Sequence, residues 1–118
     1  MRFMVMVKAS PASEAGILPA KESTSAMDKY NQELMRAGVL LDLAALQPSS
    51  RGARISVSQG KRTVTDGPFA ETRQLLAGYW IIQVKSLEEA IEWGKRVPVP
   101  SEREEREIEI RPYSERNE

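Results

Sequence analysis

Neither histidine nor cysteine occurs in this chain of 118 residues, so any chemistry it performs must run on carboxylates, amines and hydroxyls. Histidine is the default general base near neutrality and the commonest metal ligand. Cysteine supplies thiolate nucleophiles, disulfides and soft metal sites. The stretch TVTDGPFAETRQ, residues 63 to 74, concentrates what remains. Asp66 and Glu71 flank Gly67-Pro68, and two neighbouring carboxylates push one pKa upward, which makes a proton-transfer group without histidine. On the other reading Asp66 is an Asx-turn residue ahead of Gly67-Pro68, and Glu71 is an exposed partner of Arg73.

Lys8 is the third catalytic candidate. It ends an apolar run, where an amine can become nucleophilic if its pKa falls or can simply snorkel to the sheet edge. Around these groups, Phe69 reads either as a plug that anchors its loop or as a pocket wall. Trp80 is a core residue or the lining of a cavity, and Tyr79 and Trp93 are core or interface residues. Arg54 and Arg111 could clamp an anionic ligand or make surface pairs. Gly60 and Gly67 lack the spacing of a phosphate loop, and no serine sits in a nucleophile elbow. The run SEREERE (101–107) is expected as a solvated charge run rather than an oxygen-only metal site. No metal and no cofactor is expected.

The elements that must position these residues follow from periodicity. Residues 2–8 are apolar on both alternating faces: Phe3, Val5 and Val7 point one way, Met4 and Met6 the other. Residues 9–18 are expected as a loop. Pro19 can open a helix in which Met27, Tyr30, Leu34 and Ala37 recur at helical spacing, with Gly38 as its stop. Val39–Leu46 predicts a second strand. Ala53–Ser58 and Lys61–Thr65 flank Gln59-Gly60 as a two-residue hairpin. Ala77–Val84 is again apolar on both faces. Ser86 and Glu89 form a capping box for a helix ending near Val97, and Glu107–Arg111 predicts a last strand.

The order is β-α-β, a hairpin, then β-α-β, in a single domain spanning 1–118. Two helices on one face of an antiparallel sheet is the ferredoxin-like α+β plan. Two helices cover only one face of that sheet, yet two strands are apolar on both faces. In a chain this short the second face calls for another subunit, so a homodimer joined through its sheets is expected.

Composition limits the partners. Lysine plus arginine and aspartate plus glutamate both number 17, and a chain of zero net charge is poorly suited to releasing counterions from nucleic acid. The longest nearly apolar run, Val39 to Leu46, is too short to span a bilayer. MRFMVMVK is too short for a signal-peptide core. With no cysteine, the expected location is the cytoplasm.

VTDGPFAETRQLLAGYW resembles the signature of the YCII-related family, specifically its DGPF subgroup. The resemblance extends through MVMVKA, KYNQELMRAGVLL, QPSSRGARI, QVKSLEEAIEWGKR and EIEIRP. It implies a dimeric α+β barrel in which two ferredoxin-like subunits press their sheets together around pockets. It also implies that Asp66 matches the family aspartate, which in one branch works with a histidine. Here Ala44 stands where the subgroup has glutamate, and Gln47 where it has histidine. The expected pocket residues are Phe69, Trp80, Ala44, Gln47 and Arg54, and the expected ligand is a small apolar or aromatic molecule. The leading expectation is a small-molecule-binding or vestigially catalytic protein. The alternatives are a cofactor-independent lyase or hydrolase using Asp66 with a second ionisable group, and a regulatory module acting through protein contacts.

Overall fold

The computed structural model describes residues 1–18, 20–99 and 105–115. Four strands make one antiparallel sheet: β1 (Arg2–Lys8), β2 (Leu40–Ala45), β5 (Leu76–Gln83) and β6 (Ile108–Pro112), in the order β2-β5-β1-β6. Helices α2 (Lys21–Arg36) and α3 (Leu87–Lys95) follow β1 and β5 and pack on the same face. This α+β arrangement is compatible with the expected ferredoxin-like plan. Among the described residues, strands β3 (Ala53–Ser58) and β4 (Lys61–Asp66) pair only with each other, as a separate two-stranded ribbon.

The core follows from the alternation of β1 and β5. Phe3, Val5 and Val7 are buried beneath the helices, as are Trp80 and Ile82, and they meet Tyr30 and Leu34 of α2 and Ala90 of α3. Each such large apolar side chain contributes about 1.5–3 kcal/mol on burial. Tyr30 stands at the centre. Its ring meets Trp80 edge-on at 5.2 Å and Trp93 at 6.3 Å, and its hydroxyl donates to the Trp93 carbonyl at 2.8 Å. The opposite side of the sheet carries Met4, Met6, Tyr79 and Ile81, all half-buried in the single chain.

Local chemistry sets the ends of these elements. Helix α2 closes in a Schellman turn: Gly38, at φ 72°, donates to Met35 O and Val39 donates to Leu34 O. Gln59 and Gly60 both have positive φ, 51° and 77°, the pair of conformations that a type I′ hairpin needs. Ser86 caps α3 through the Glu89 amide at 3.2 Å, but the Glu89 carboxylate accepts from the Lys85 amide, not from Ser86 as a closed capping box requires. Strands β1 and β3 have the expected bounds, β4 runs one residue longer, and β2, β5 and β6 differ by one residue at both ends.

Two local expectations need correction. Residues 9–18 are not all loop: Pro11–Glu14 forms a short helix, α1, because Ser10 and Ser13 satisfy each other's amides in a reciprocal cap at 3.1 and 2.9 Å. The helix expected to open at Pro19 has Lys21 as its first residue and Ala20 as its cap; Pro19 itself lies outside the described residues, as do 100–104 of the charged stretch.

Candidate functional site

The DGPF turn is built against the segment that follows β2. Asp66 ends β4, opposite Ala53. Gly67 donates its amide to Gly52 O at 3.0 Å, and the Ser49 carbonyl occupies the space a side chain would need: a Cβ on Gly67 would lie 1.8 Å from that oxygen. Phe69 then donates its amide to Ser49 Oγ at 3.0 Å. Ser49 is itself fixed by Glu14 of α1, whose carboxylate accepts from the Ser49 amide at 2.9 Å and from its hydroxyl. A relay of Glu14, Ser49 and Phe69 thus ties three distant segments together.

Arg54 locks the other side of the turn. Its guanidinium lies over the Phe69 ring at 3.9 Å and reaches Glu71 Oε2 at 3.4 Å. Glu71 is therefore the partner of Arg54 rather than Arg73, a correction of the exposed-pair expectation, because the ribbon base brings Arg54 beside it. Phe69 is half-buried beneath that guanidinium. Asp66 is exposed, and among the described residues its carboxylate makes no hydrogen bond or ion pair.

Lys8 sits on the open face of the sheet. Its ammonium lies 3.4 Å from Glu109 Oε1, while Arg111 reaches Glu109 Oε2 at 3.4 Å. The hydrogen bond from Arg111 and then the charge of Lys8 hold the Glu109 carboxyl below its usual range. Arg111 is thus a surface pair here.

The eight residues expected as catalytic or pocket-lining divide among three clefts and one exposed position. Lys8 and Glu71 line an open cleft of about 1150 Å³ with Ser10, Arg73 and Glu107. Gln47, Arg54 and Phe69 line a second, of about 580 Å³, with Glu14 and Ser49. Ala44 and Trp80 line a third, of about 220 Å³, with Val7, Met27, Asn31 and Leu43. Asp66 is not among the lining residues of any of the three.

The third cleft is mostly apolar, with Asn31, Tyr79 and Arg106 as the polar side chains of its lining. Asn31 accepts from the Trp80 indole N–H at 2.7 Å through Oδ1. Its side-chain NH₂ has no hydrogen bond among the described residues. The neighbouring Tyr30 phenol is pushed up to about 12, chiefly by burial. Among the described residues no group of three or more acidic side chains could hold a metal ion, and no helix is long and apolar enough to cross a membrane.

Sequence reasoning did not single out Glu14, Ser49, Asn31 or, as a lining residue, Met27. Asn31 had a usable signal, since it lies four residues after Met27 and shares its helical face. Glu14 and Ser49 had none, because their contact joins residues 35 apart in the chain.

Two comparisons bear on this fold and site. The chain is 38% identical over 69 residues to an uncharacterized protein of Rhizobium meliloti (strain 1021), a match covering 58% of this chain and 56% of that protein. The family model described as the YCII-related domain matches residues 1–114. With that match running from β1 through β6, the chain belongs to the YCII-related domain family.

Proposed function

We propose that the protein belongs to the DGPF subgroup and binds a small apolar or aromatic molecule, and that it works in the cytoplasm as a homodimer joined through the open faces of its sheets. One observation carries the ligand class: the cleft of about 220 Å³ between α2 and the β2–β5 edge, walled by Val7, Met27, Leu43 and Trp80. A dry apolar cavity of about 150 Å³ accommodates benzene, so this cleft suits a single substituted ring. The free donors of Asn31 suit a hydroxyl or carbonyl on that ring, and a few placed polar groups in an apolar wall are what orient a ligand. The dimer is supported by Met4, Met6, Tyr79 and Ile81, an apolar band across the uncovered face.

The experiment is a panel of single-ring phenols and benzoates titrated into labelled protein and followed by NMR. The expected result is a shift of the Trp80 indole and Asn31 side-chain resonances, lost when Leu43→Trp fills the cleft. A panel that moves neither resonance, or binding that survives Leu43→Trp unchanged, refutes the ligand site. Sedimentation tests the dimer separately, and a monomer would remove that half of the proposal alone.

A further inference from the structure

The β3–β4 ribbon is amphipathic, with water on both sides. Its register places Ala53, Ile55, Val57, Arg62, Val64 and Asp66 on one face. The other face is Arg54, Ser56, Ser58, Lys61, Thr63 and Thr65, a set suited to solvent. The first face is not. Ile55, Val57 and Val64 are 66%, 61% and 65% exposed. A lone two-stranded hairpin is marginally stable in water at best, and among the described residues these strands pair with no other strand.

The pattern on that face is complementary to itself. Along β4 it reads Arg62, Val64, Asp66: cation, apolar, anion. Along β3, in the same rows, it reads Val57, Ile55, Ala53. Let a two-fold axis lie between two such ribbons and cross their strands at the Ile55–Val64 row. The rotation sets Val64 on Val64 of the second copy and Ile55 on Ile55. It sets the larger Val57 on the smaller Ala53, and Arg62 on Asp66, each twice. This is the reciprocal contact that a two-fold interface requires. Among the described residues, neither Arg62 nor Asp66 has a hydrogen bond or ion pair within the chain that would compete.

We propose that the ribbon docks on the ribbon of a second copy through this face, with an Arg62–Asp66 ion pair closing each end. Asp66 then acts between chains, outside the apolar cleft. Six residues a side fall far short of the 20–30 of a standard interface, so the contact is weak alone. It gains from the effective concentration that a second, separate interface would supply. It uses a different surface from the sheet-joined dimer and stands without it; where both hold, the assembly exceeds two copies.

Sedimentation equilibrium up to about 1 mM protein, with far-ultraviolet circular dichroism to verify folding, tests this. Arg62→Asp or Asp66→Arg alone sets like charges together twice and should weaken one association step by about tenfold or more. The double variant Arg62→Asp/Asp66→Arg restores opposite charges and should recover wild-type association to within about threefold. Ile81→Lys, on the open sheet face, should abolish the sheet-joined dimer and leave a weaker ribbon step that Arg62→Asp still lowers. Single variants that match wild type, a double variant as weak as the singles, or a wild type with no association step overturn the proposal. Loss of association in Ile81→Lys alone, with the ribbon variants unaffected, supports the sheet dimer and refutes the ribbon contact.

Discussion

Replacing Gly67 by alanine asks whether the DGPF turn is a steric clamp. The added methyl would lie 1.8 Å from the Ser49 carbonyl oxygen and 2.6 Å from its carbon, and backbone cannot swing aside as a side-chain tip can. Gly67 is not among the positive-φ glycines, so close approach rather than conformation demands glycine. The turn must lift from residues 49–52. The Gly67 amide bond to Gly52 and the Phe69 amide bond to Ser49, both 3.0 Å, go with it, as does the Arg54–Phe69 contact at 3.9 Å. Two hydrogen bonds at about 1 kcal/mol each and an exposed cation–π contact at about 0.5–1 kcal/mol sum to about 2.5–3 kcal/mol. Alanine's smaller unfolded-state entropy offsets about 0.5 kcal/mol. The net, about 2–2.5 kcal/mol, corresponds to amide exchange about 30- to 70-fold faster at Phe69. Hydrogen exchange by NMR reads this directly, with the Val5 amide in the central strand expected to stay within about threefold of wild type. Unchanged protection at Phe69 refutes the clamp. Equal loss at Val5 refutes its being local.

Tyr30 predicts a loss of stability in strong base. Its phenol keeps its proton to about 12 in the native state, against 10.0 in the unfolded chain. The contribution is therefore complete below pH 10 and is lost as pH rises to 12, by roughly 3 kcal/mol. Denaturant titrations across that window should show wild type losing this much more than Tyr30→Phe, and parallel curves would contradict it. On the open face, Lys8→Met should raise the Glu109 midpoint toward its ordinary value, read by carboxyl NMR. An unmoved midpoint would mean that Arg111 alone accounts for the depression.

The strands and helices were legible because burial writes a period into sequence. Phe3, Val5 and Val7 alternate with Met4 and Met6, and Met27, Tyr30 and Leu34 recur at helical spacing. The hairpin was legible from Gly60, which adopts positive φ freely, set between two strand-like runs, although Gln59 at φ 51° is not a type that favours it. Short helix α1 was missed because four residues have no period, and its cap uses a second serine where a glutamate would have signalled it. That the ribbon stands apart from the sheet was also hidden, since Ile55, Val57 and Val64 read as ordinary half-buried strand residues. The site divided similarly. Phe69 and Arg54 were named, but what fixes Phe69 is Ser49 held by Glu14, a tertiary relay with no local mark. Glu71 pairs with a residue 17 positions away rather than its near neighbour Arg73, for the same reason.

The crowding of Trp80 and Trp93 around Tyr30 decides what light can report. They are the chain's two tryptophans, so its intrinsic emission comes from one place, the seam of α2 with β5 and α3. A molecule entering the cleft beside Trp80 would register there. Residues 53–66 contain no aromatic side chain, so the ribbon could separate from a second copy, or fray entirely, with the emission unaltered. An optical melt would trace the sheet and helices alone, and a spectroscopically silent change of assembly could pass beneath it.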